Sequence, residues 1–282
     1  MNDTSYLTGL LGRDLSGSLS PALHNEGFRA LGVPGFYQPI DFSERSLQDT
    51  DLAEVLASLV RLGFAGCNVT HPFKTAIMPL LDNVSDDAAQ LGAVNTVVIR
   101  DGKTTGHNTD WLGFAAQLDA LETKSAIPHQ GAALVLGAGG AGRAVIYGLQ
   151  QKTTSSILIH DPDMAQAQAT VAHFDDPRIN LVIDLESATD QAMLLVNAST
   201  VGMHGKGGLP LAPHLIRPRH QIAEVVYFPL ETPLVKYVRS LGSQFVTGDI
   251  MCLHQAMAAF DLMSGLKANR KKMTEFFSNL VA

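Results

Sequence analysis

Cysteine is nearly absent from this chain of 282 residues: Cys67 and Cys252 are its only two. They lie far apart and form no CxxC pair, so neither a zinc site nor a disulfide framework is expected. The simplest reading is two small core residues in a reducing cytoplasm. Charged residues make up only 17% of the chain, with a formal net charge of −7. No basic stripe stands out, which sets nucleic acid aside as a partner. The one dense basic run, Arg270-Lys271-Lys272, reads as a solvated helix face. No apolar run approaches the length of a membrane span. Met1 to Tyr6 is polar, with no charged n-region followed by an apolar stretch, so no signal peptide is expected. His71, His107 and His254 form no metal-ligand pattern such as HExxH, and no metal is assigned. What the chain has in quantity is apolar surface, 46% of its residues, enough for two modest domains or one large one.

The apolar residues fall into strand-like and helix-like stretches. Tyr6 to Gly12, Phe36 to Phe42 and Phe64 to Thr70 read as strands, and Leu47 to Leu62 as a helix with apolar residues at helical spacing. Ser20-Pro21 predicts a helix start with serine as cap and proline in the first turn. Pro72 predicts another helix, with Lys74 in its first turn. Val94 to Arg100 and Lys103 to Gly106 flank Asp101-Gly102, a hairpin signal. In the middle of the chain, Ala132 to Leu136, Ser156 to His160, Asn180 to Ile183, Met193 to Asn197 and Ile222 to Tyr227 read as strands. Helices are expected at Ala141 to Gln151 and Asp163 to Phe174. This alternation implies a parallel, doubly wound α/β sheet. Ile250 to Leu280 reads as two helices separated near Gly265, and Lys124 to Gln130 as a linker.

Leu134 to Arg143 places G-x-G-x-x-G, with Gly137, Gly139 and Gly142, between a strand and a helix. Alone the pattern is weak; in this context it points to a dinucleotide. Gly137 allows the tight turn, Gly139 a close backbone approach to pyrophosphate, and Gly142 close packing of the helix on the strand. Ala138, Gly140 and Ala141 complete the loop, whose helix N-terminus offers N–H groups to phosphate. A methyltransferase with a similar loop is the competing reading, but it usually lacks the acid that follows. Asp161 stands about 20 residues on, where an acid binds the adenine-ribose hydroxyls. It would repel the 2′-phosphate of NADP, and no Arg or Lys lies between Asp161 and His173. NAD is therefore favoured over NADP. The plain alternative for Asp161 is a cap for the next helix, and the two roles are compatible.

Several polar motifs lie at strand ends outside this region: Ser18-Leu19-Ser20-Pro21, Asn68-Val69-Thr70 followed by Lys74, Ala93-Val94-Asn95-Thr96 and Asn108-Thr109-Asp110. Each alone is ordinary turn and cap chemistry. In order, and with the glycine loop, Asn197-Ala198-Ser199, Val226-Tyr227-x-Pro229 and His254-Gln255-Ala256, they resemble the shikimate/quinate dehydrogenase family over nearly the whole chain.

The resemblance implies an α/β protein of two domains: a catalytic, substrate domain with a mixed sheet, residues 1–110 with 249–282, and an inserted Rossmann NAD-binding domain, 111–248. It implies that Ser18 and Ser20, with Tyr227, bind the substrate carboxylate. Asn68, Thr70, Asn95 and Gln255 would hold ring hydroxyls. Lys74 and Asp110 would form the catalytic pair, Lys74 as proton acceptor and Asp110 orienting it or the same hydroxyl. Asn197, Ala198 and Ser199 would line the cofactor cleft, with Gly248 and Met251 near the nicotinamide. The expected partner is a small molecule, in a cytoplasmic monomer or homodimer.

The chain departs from the NADP-linked members, which commonly carry Asn-Arg-Thr where it has His160-Asp161-Pro162. Gly248-Asp249-Ile250-Met251 replaces a frequent Gly-Leu-Gly-Met, and Glu224 stands where Asp is frequent. These differences point to the NAD-using quinate/shikimate branch. Ser20, where quinate-selective members often have Thr, points to shikimate as the better substrate. An aminoshikimate-type or other polyol-carboxylate dehydrogenase, a folate-linked dehydrogenase with a catalytic lysine, and an NAD-binding protein without turnover are the alternatives.

Overall fold

The structure, a computed structural model, describes residues 5–124, 131–153 and 155–281. Most of the expected linker, Lys124 to Gln130, lies outside the described residues. The chain divides into two compact units, residues 1–109 with 255–282 and residues 110–254.

The first unit is built on a six-stranded mixed sheet. Its strands are β1 (Tyr6–Gly12), β2 (Gly35–Asp41), β3 (Gly66–Val69), β4 (Asn83–Val84), β5 (Thr96–Arg100) and β6 (Lys103–His107), in the order β2-β1-β3-β5-β6-β4. β1 pairs in parallel with β2 and β3, and β4 with β6; β5 is antiparallel to β3 and β6. The β5–β6 turn carries Asp101 at φ 50° and Gly102 at φ 74°, the left-handed pair that a two-residue hairpin needs. Helix α1 (Ser20–Leu31) buries Leu23, His24 and Phe28. Helix α2 (Leu52–Arg61) buries Leu52, Leu56 and Leu59 at helical spacing. A short helix α3 (Asp86–Leu91) precedes β5.

Two local expectations are corrected here. Ser20 does not cap α1: it is the first helical residue, its N–H donating to the Ser18 hydroxyl at 3.3 Å. Pro72 does not open an α-helix, so Lys74 does not lie in a helical first turn. Residues 71–77 form successive turns, followed by a 3-10 turn at Met78–Leu80. The reason is non-local: the Lys74 carbonyl, which a helix would pair with residue 78, instead accepts from the Val94 N–H at 2.8 Å.

The second unit carries α4 (Asp110–Lys124), β7 (Ala132–Leu136), α5 (Gly140–Lys152), β8 (Ile157–His160), α6 (Met164–Phe174), β9 (Ile179–Leu181), α7 (Leu185–Gln191), β10 (Ala192–Asn197), β11 (Gln221–Glu224), α8 (Pro233–Leu241) and β12 (Phe245–Val246). All its strand pairs are parallel, in the order β9-β8-β7-β10-β11-β12. Numbered within this unit the order is 3-2-1-4-5-6, that of the Rossmann fold. The central strands are apolar throughout because helices cover both faces. Val135, Ile159 and Val196 enter one core cluster, and Leu134, Leu158 and Leu195 the other. α9 (Gly248–Ser264) contains the 254/255 boundary between units, and α10 (Arg270–Val281) follows Gly265 at φ 71°.

The helices α3, α4, α7 and α8 have no counterpart in the pattern reading. α4 buries Phe114, Gln117, Leu118 and Leu121, so polar and apolar positions are not separated into stripes. α3 and α7 are short. α8 did have a signal, Thr232-Pro233, and the Thr232 hydroxyl accepts from the Val235 N–H at 3.1 Å.

Candidate functional site

In the first unit the strand ends gather the polar motifs. The Asn68 amide donates to the Asn95 carbonyl at 3.1 Å and to the Thr96 hydroxyl at 3.0 Å. The Asn95 side chain donates to the Thr109 hydroxyl at 3.0 Å, and its oxygen accepts from the Thr109 N–H at 2.7 Å and the Thr96 hydroxyl at 2.9 Å. The Thr109 hydroxyl in turn reaches the Gln255 amide oxygen at 3.5 Å. Asn68, Asn95 and Gln255 are thereby joined in one hydrogen-bonded chain through Thr96 and Thr109. Burial of Asn68, Asn95, Thr96 and Thr109 makes each of these bonds costly to leave unmade.

The backbone holds this cluster in place. The Val69 N–H donates to the Asn95 carbonyl, the Thr70 N–H to the Leu11 carbonyl, and the Val94 N–H to the Lys74 carbonyl, at 2.8, 2.9 and 2.8 Å. Lys74 is thus tied to the Asn95 segment through its main chain. The Asn108 amide donates to the Ala93 carbonyl at 2.9 Å, closing the same corner.

Tyr37 has no counterpart in the motif reading, yet it joins two of the motifs. Its buried hydroxyl donates to the Asn68 amide oxygen at 2.8 Å, and the Ser20 side chain hydrogen-bonds the same phenol. Burial holds the phenol well above its ordinary pKa, so it stays a donor. The only sequence signal is register. Tyr37 pairs with Thr8 and Asn68 with Leu10, and positions 8 and 10 of a strand share a face.

In the second unit the glycine loop has the stereochemistry its pattern predicts. Gly137 sits at φ 108°, where side chains are strained, and a Cβ there would lie 2.8 Å from the Ala198 carbonyl and the Ser199 nitrogen. A Cβ on Gly142 would collide with the Gly137 carbonyl oxygen. The Thr170 hydroxyl donates to the Ala138 carbonyl at 3.0 Å, pinning the loop to α6. Gly140 and Ala141 open α5, whose first N–H groups lack intrahelical partners.

Asp161 follows β8 directly. One carboxylate oxygen accepts from the Ala138 N–H at 2.8 Å, the other from the Asp163 N–H at 2.9 Å. The cap of α6 is Asp163, accepting from Ala165 and Gln166, so the helix-cap alternative for Asp161 is set aside.

At the ends of β10 and β11, Asn197 donates to a Glu224 carboxylate oxygen at 2.8 Å and accepts from the Ser199 hydroxyl at 2.7 Å. Glu224 also accepts from the Val226 N–H and, through its other oxygen, the Thr232 hydroxyl. Burial pushes this carboxyl up to about 7, against the pull of those hydrogen bonds. Tyr227 lies beyond the end of β11; burial, then the thiol of Cys252 and the carboxylate of Asp110, push its phenol up to about 12. Gly248 opens α9 under the Val225 and Val226 carbonyls, where a Cβ would collide. Met251 packs in the core with Val135, Val196 and Ala198. Lys74 belongs to the first unit and Asp110 to the second.

A parallel 3-2-1-4-5-6 sheet with a G-x-G-x-x-G turn, in one chain with a mixed-sheet unit, defines a two-domain α/β protein of the dinucleotide-binding class. The family model described as "Shikimate dehydrogenase substrate binding domain" matches residues 10–97. A shikimate dehydrogenase (NADP+) of Pseudarthrobacter chlorophenolicus is 41% identical over 288 residues, covering 99% of this chain and 96% of that one. A quinate/shikimate dehydrogenase (NAD+) of Corynebacterium efficiens is 39% identical, covering 99% and 100%. The solved quinate dehydrogenase of Corynebacterium glutamicum in complex with NAD superposes with a TM-score of 0.90 at 36% identity, covering 98% and 99%. The chain belongs to the shikimate/quinate dehydrogenase family.

Proposed function

We propose that this chain is a dehydrogenase that interconverts shikimate, or quinate, and its 3-dehydro form, with NAD preferred over NADP. The observation that carries the substrate half is the continuous hydrogen-bonded chain Asn68–Thr96–Asn95–Thr109–Gln255. Such a cluster of amides and hydroxyls suits a polyol. Ser18 and Ser20, with Tyr227, bind the carboxylate; Asn68, Thr70, Asn95 and Gln255 bind ring hydroxyls.

The cofactor half rests on the loop. Its crowding at Gly137 and Gly142 leaves backbone rather than side chains facing a pyrophosphate, and the N-terminus of α5 favours an anion. Residues Gly137 to Gly142 and Asn197 to Ser199 would hold the dinucleotide, Asp161 its adenine ribose, and Gly248 and Met251 the neighbourhood of the nicotinamide. That group supplies the hydride acceptor when bound. Lys74 takes the proton of the secondary hydroxyl as its C–H bond is broken, and returns it in reduction; Asp110 orients Lys74 or the hydroxyl. Asp161 supports NAD because a 2′-phosphate would meet its charge.

The test is a kinetic matrix of shikimate and quinate against NAD and NADP. The expected result is turnover with both acids, shikimate the better, and a larger kcat/KM with NAD. A larger kcat/KM with NADP would overturn the cofactor reading. No turnover in any combination would favour a binding protein of the same fold.

A further inference from the structure

Helix α1 places Ser20 and His24 one turn apart, on one face. Both meet Tyr37 of β2. The His24 ring stacks on the Tyr37 ring with centroids 4.3 Å apart. The next residue, Asn25, accepts from the Tyr37 N–H through its side-chain oxygen at 2.9 Å. Tyr37 itself is wholly buried. Its ring is therefore fixed from one side by a stacked ring and along its backbone by an amide, leaving the hydroxyl little freedom.

That hydroxyl holds the oxygen end of Asn68. An asparagine side chain offers two N–H donors and an oxygen with two lone pairs. Both N–H groups of Asn68 are committed, to the Asn95 carbonyl and the Thr96 hydroxyl. One lone pair is committed to Tyr37. What remains is a single acceptor site. Without the phenol the acceptors on Asn95 and Thr96 would still favour this orientation, but nothing would hold the oxygen end.

We propose that Tyr37 is a positioning residue for substrate recognition: held by α1, its hydroxyl fixes the Asn68 amide so that Asn68 receives a hydrogen bond from a ring hydroxyl and donates none. This rests on the substrate reading above. Tyr37 belongs to the first unit and the glycine loop to the second, so its effect is expected on the acid substrate.

The experiment is Tyr37→Phe in the full chain, which removes one oxygen and keeps the stacked ring. The expected result is a rise of about tenfold in KM for shikimate, the size of effect expected from one lost buried hydrogen bond. kcat and the cofactor KM should stay within about threefold, as loss of uniform substrate binding requires. In an Asn68→Ala background the same substitution should add nothing, because Tyr37 acts through Asn68. An unchanged shikimate KM, losses that multiply in the double variant, or equal rises in both KM values would overturn the assignment. Inactivity of the unaltered chain with both acids would instead overturn the substrate reading, and this assignment with it.

Discussion

The Asp161 carboxylate accepts the Ala138 N–H of the glycine loop at 2.8 Å. The acid after the second Rossmann strand and the glycine turn are thus one hydrogen-bonded piece. Asp161→Asn keeps an oxygen for Ala138 and removes the negative charge. We expect kcat/KM with NADP to rise about tenfold, the order of one charge–charge contact at a partly exposed site, while kcat/KM with NAD falls less. An NAD/NADP ratio unchanged by the substitution would count against Asp161 as the discriminating group.

Lys74→Ala should lower kcat by about 10²–10⁴-fold, the contribution of a positioned proton-transfer group. Steady-state kinetics with shikimate and NAD measure it. Near-normal kcat with a raised KM would leave Lys74 a binding residue.

Gly142→Ala would drive a methyl group into the Gly137 carbonyl oxygen. The turn must open to accept it. Cofactor affinity, measured by fluorescence or calorimetric titration, should fall more than tenfold, and Tm should fall with it. Unimpaired cofactor binding would show that the loop tolerates displacement at its tightest contact.

Two buried groups give the folded state opposing pH dependences. Glu224, at about 7 against an ordinary 4.5, keeps a proton in the folded chain that the unfolded chain releases. Its contribution therefore falls as pH rises from 4.5 to 7, by roughly 3 kcal/mol. His24, lowered by burial from 6.5 to about 3, works the other way: the unfolded chain takes up the proton first, so stability is lost as pH falls below 6.5. Thermal melts from pH 4 to 8 should show Glu224→Gln losing less stability toward alkaline pH. His24→Phe, which keeps a ring against Tyr37, should lose less toward acid. Parallel profiles for the variants and the parent chain would refute both assignments.

Local chemistry made half of the site legible in the sequence. G-x-G-x-x-G between an apolar strand and a helix is a statement about neighbours in the chain, and the crowding at Gly137 and Gly142 is what that spacing implies. Asp101-Gly102 specified its hairpin for the same reason. The Pro72 segment departs from the helix its sequence predicts because the Lys74 carbonyl is satisfied by Val94, twenty residues away. Tyr37 carried no signal beyond its strand register, since an aromatic residue in a strand is ordinarily core.

The sequence by itself determined the α/β alternation, the parallel sheet and the glycine turn, because each is written in short-range spacing, and the family resemblance through the order of its motifs along nearly the whole chain. Only the tertiary structure decided that Asp163 and not Asp161 caps α6, that Asn68, Asn95 and Gln255 share one hydrogen-bonded chain, and that the Tyr37 hydroxyl donates to the first of them. Those facts depend on which buried donor meets which acceptor across strands far apart in sequence. Burial makes such pairing obligatory, but only packing chooses the partners.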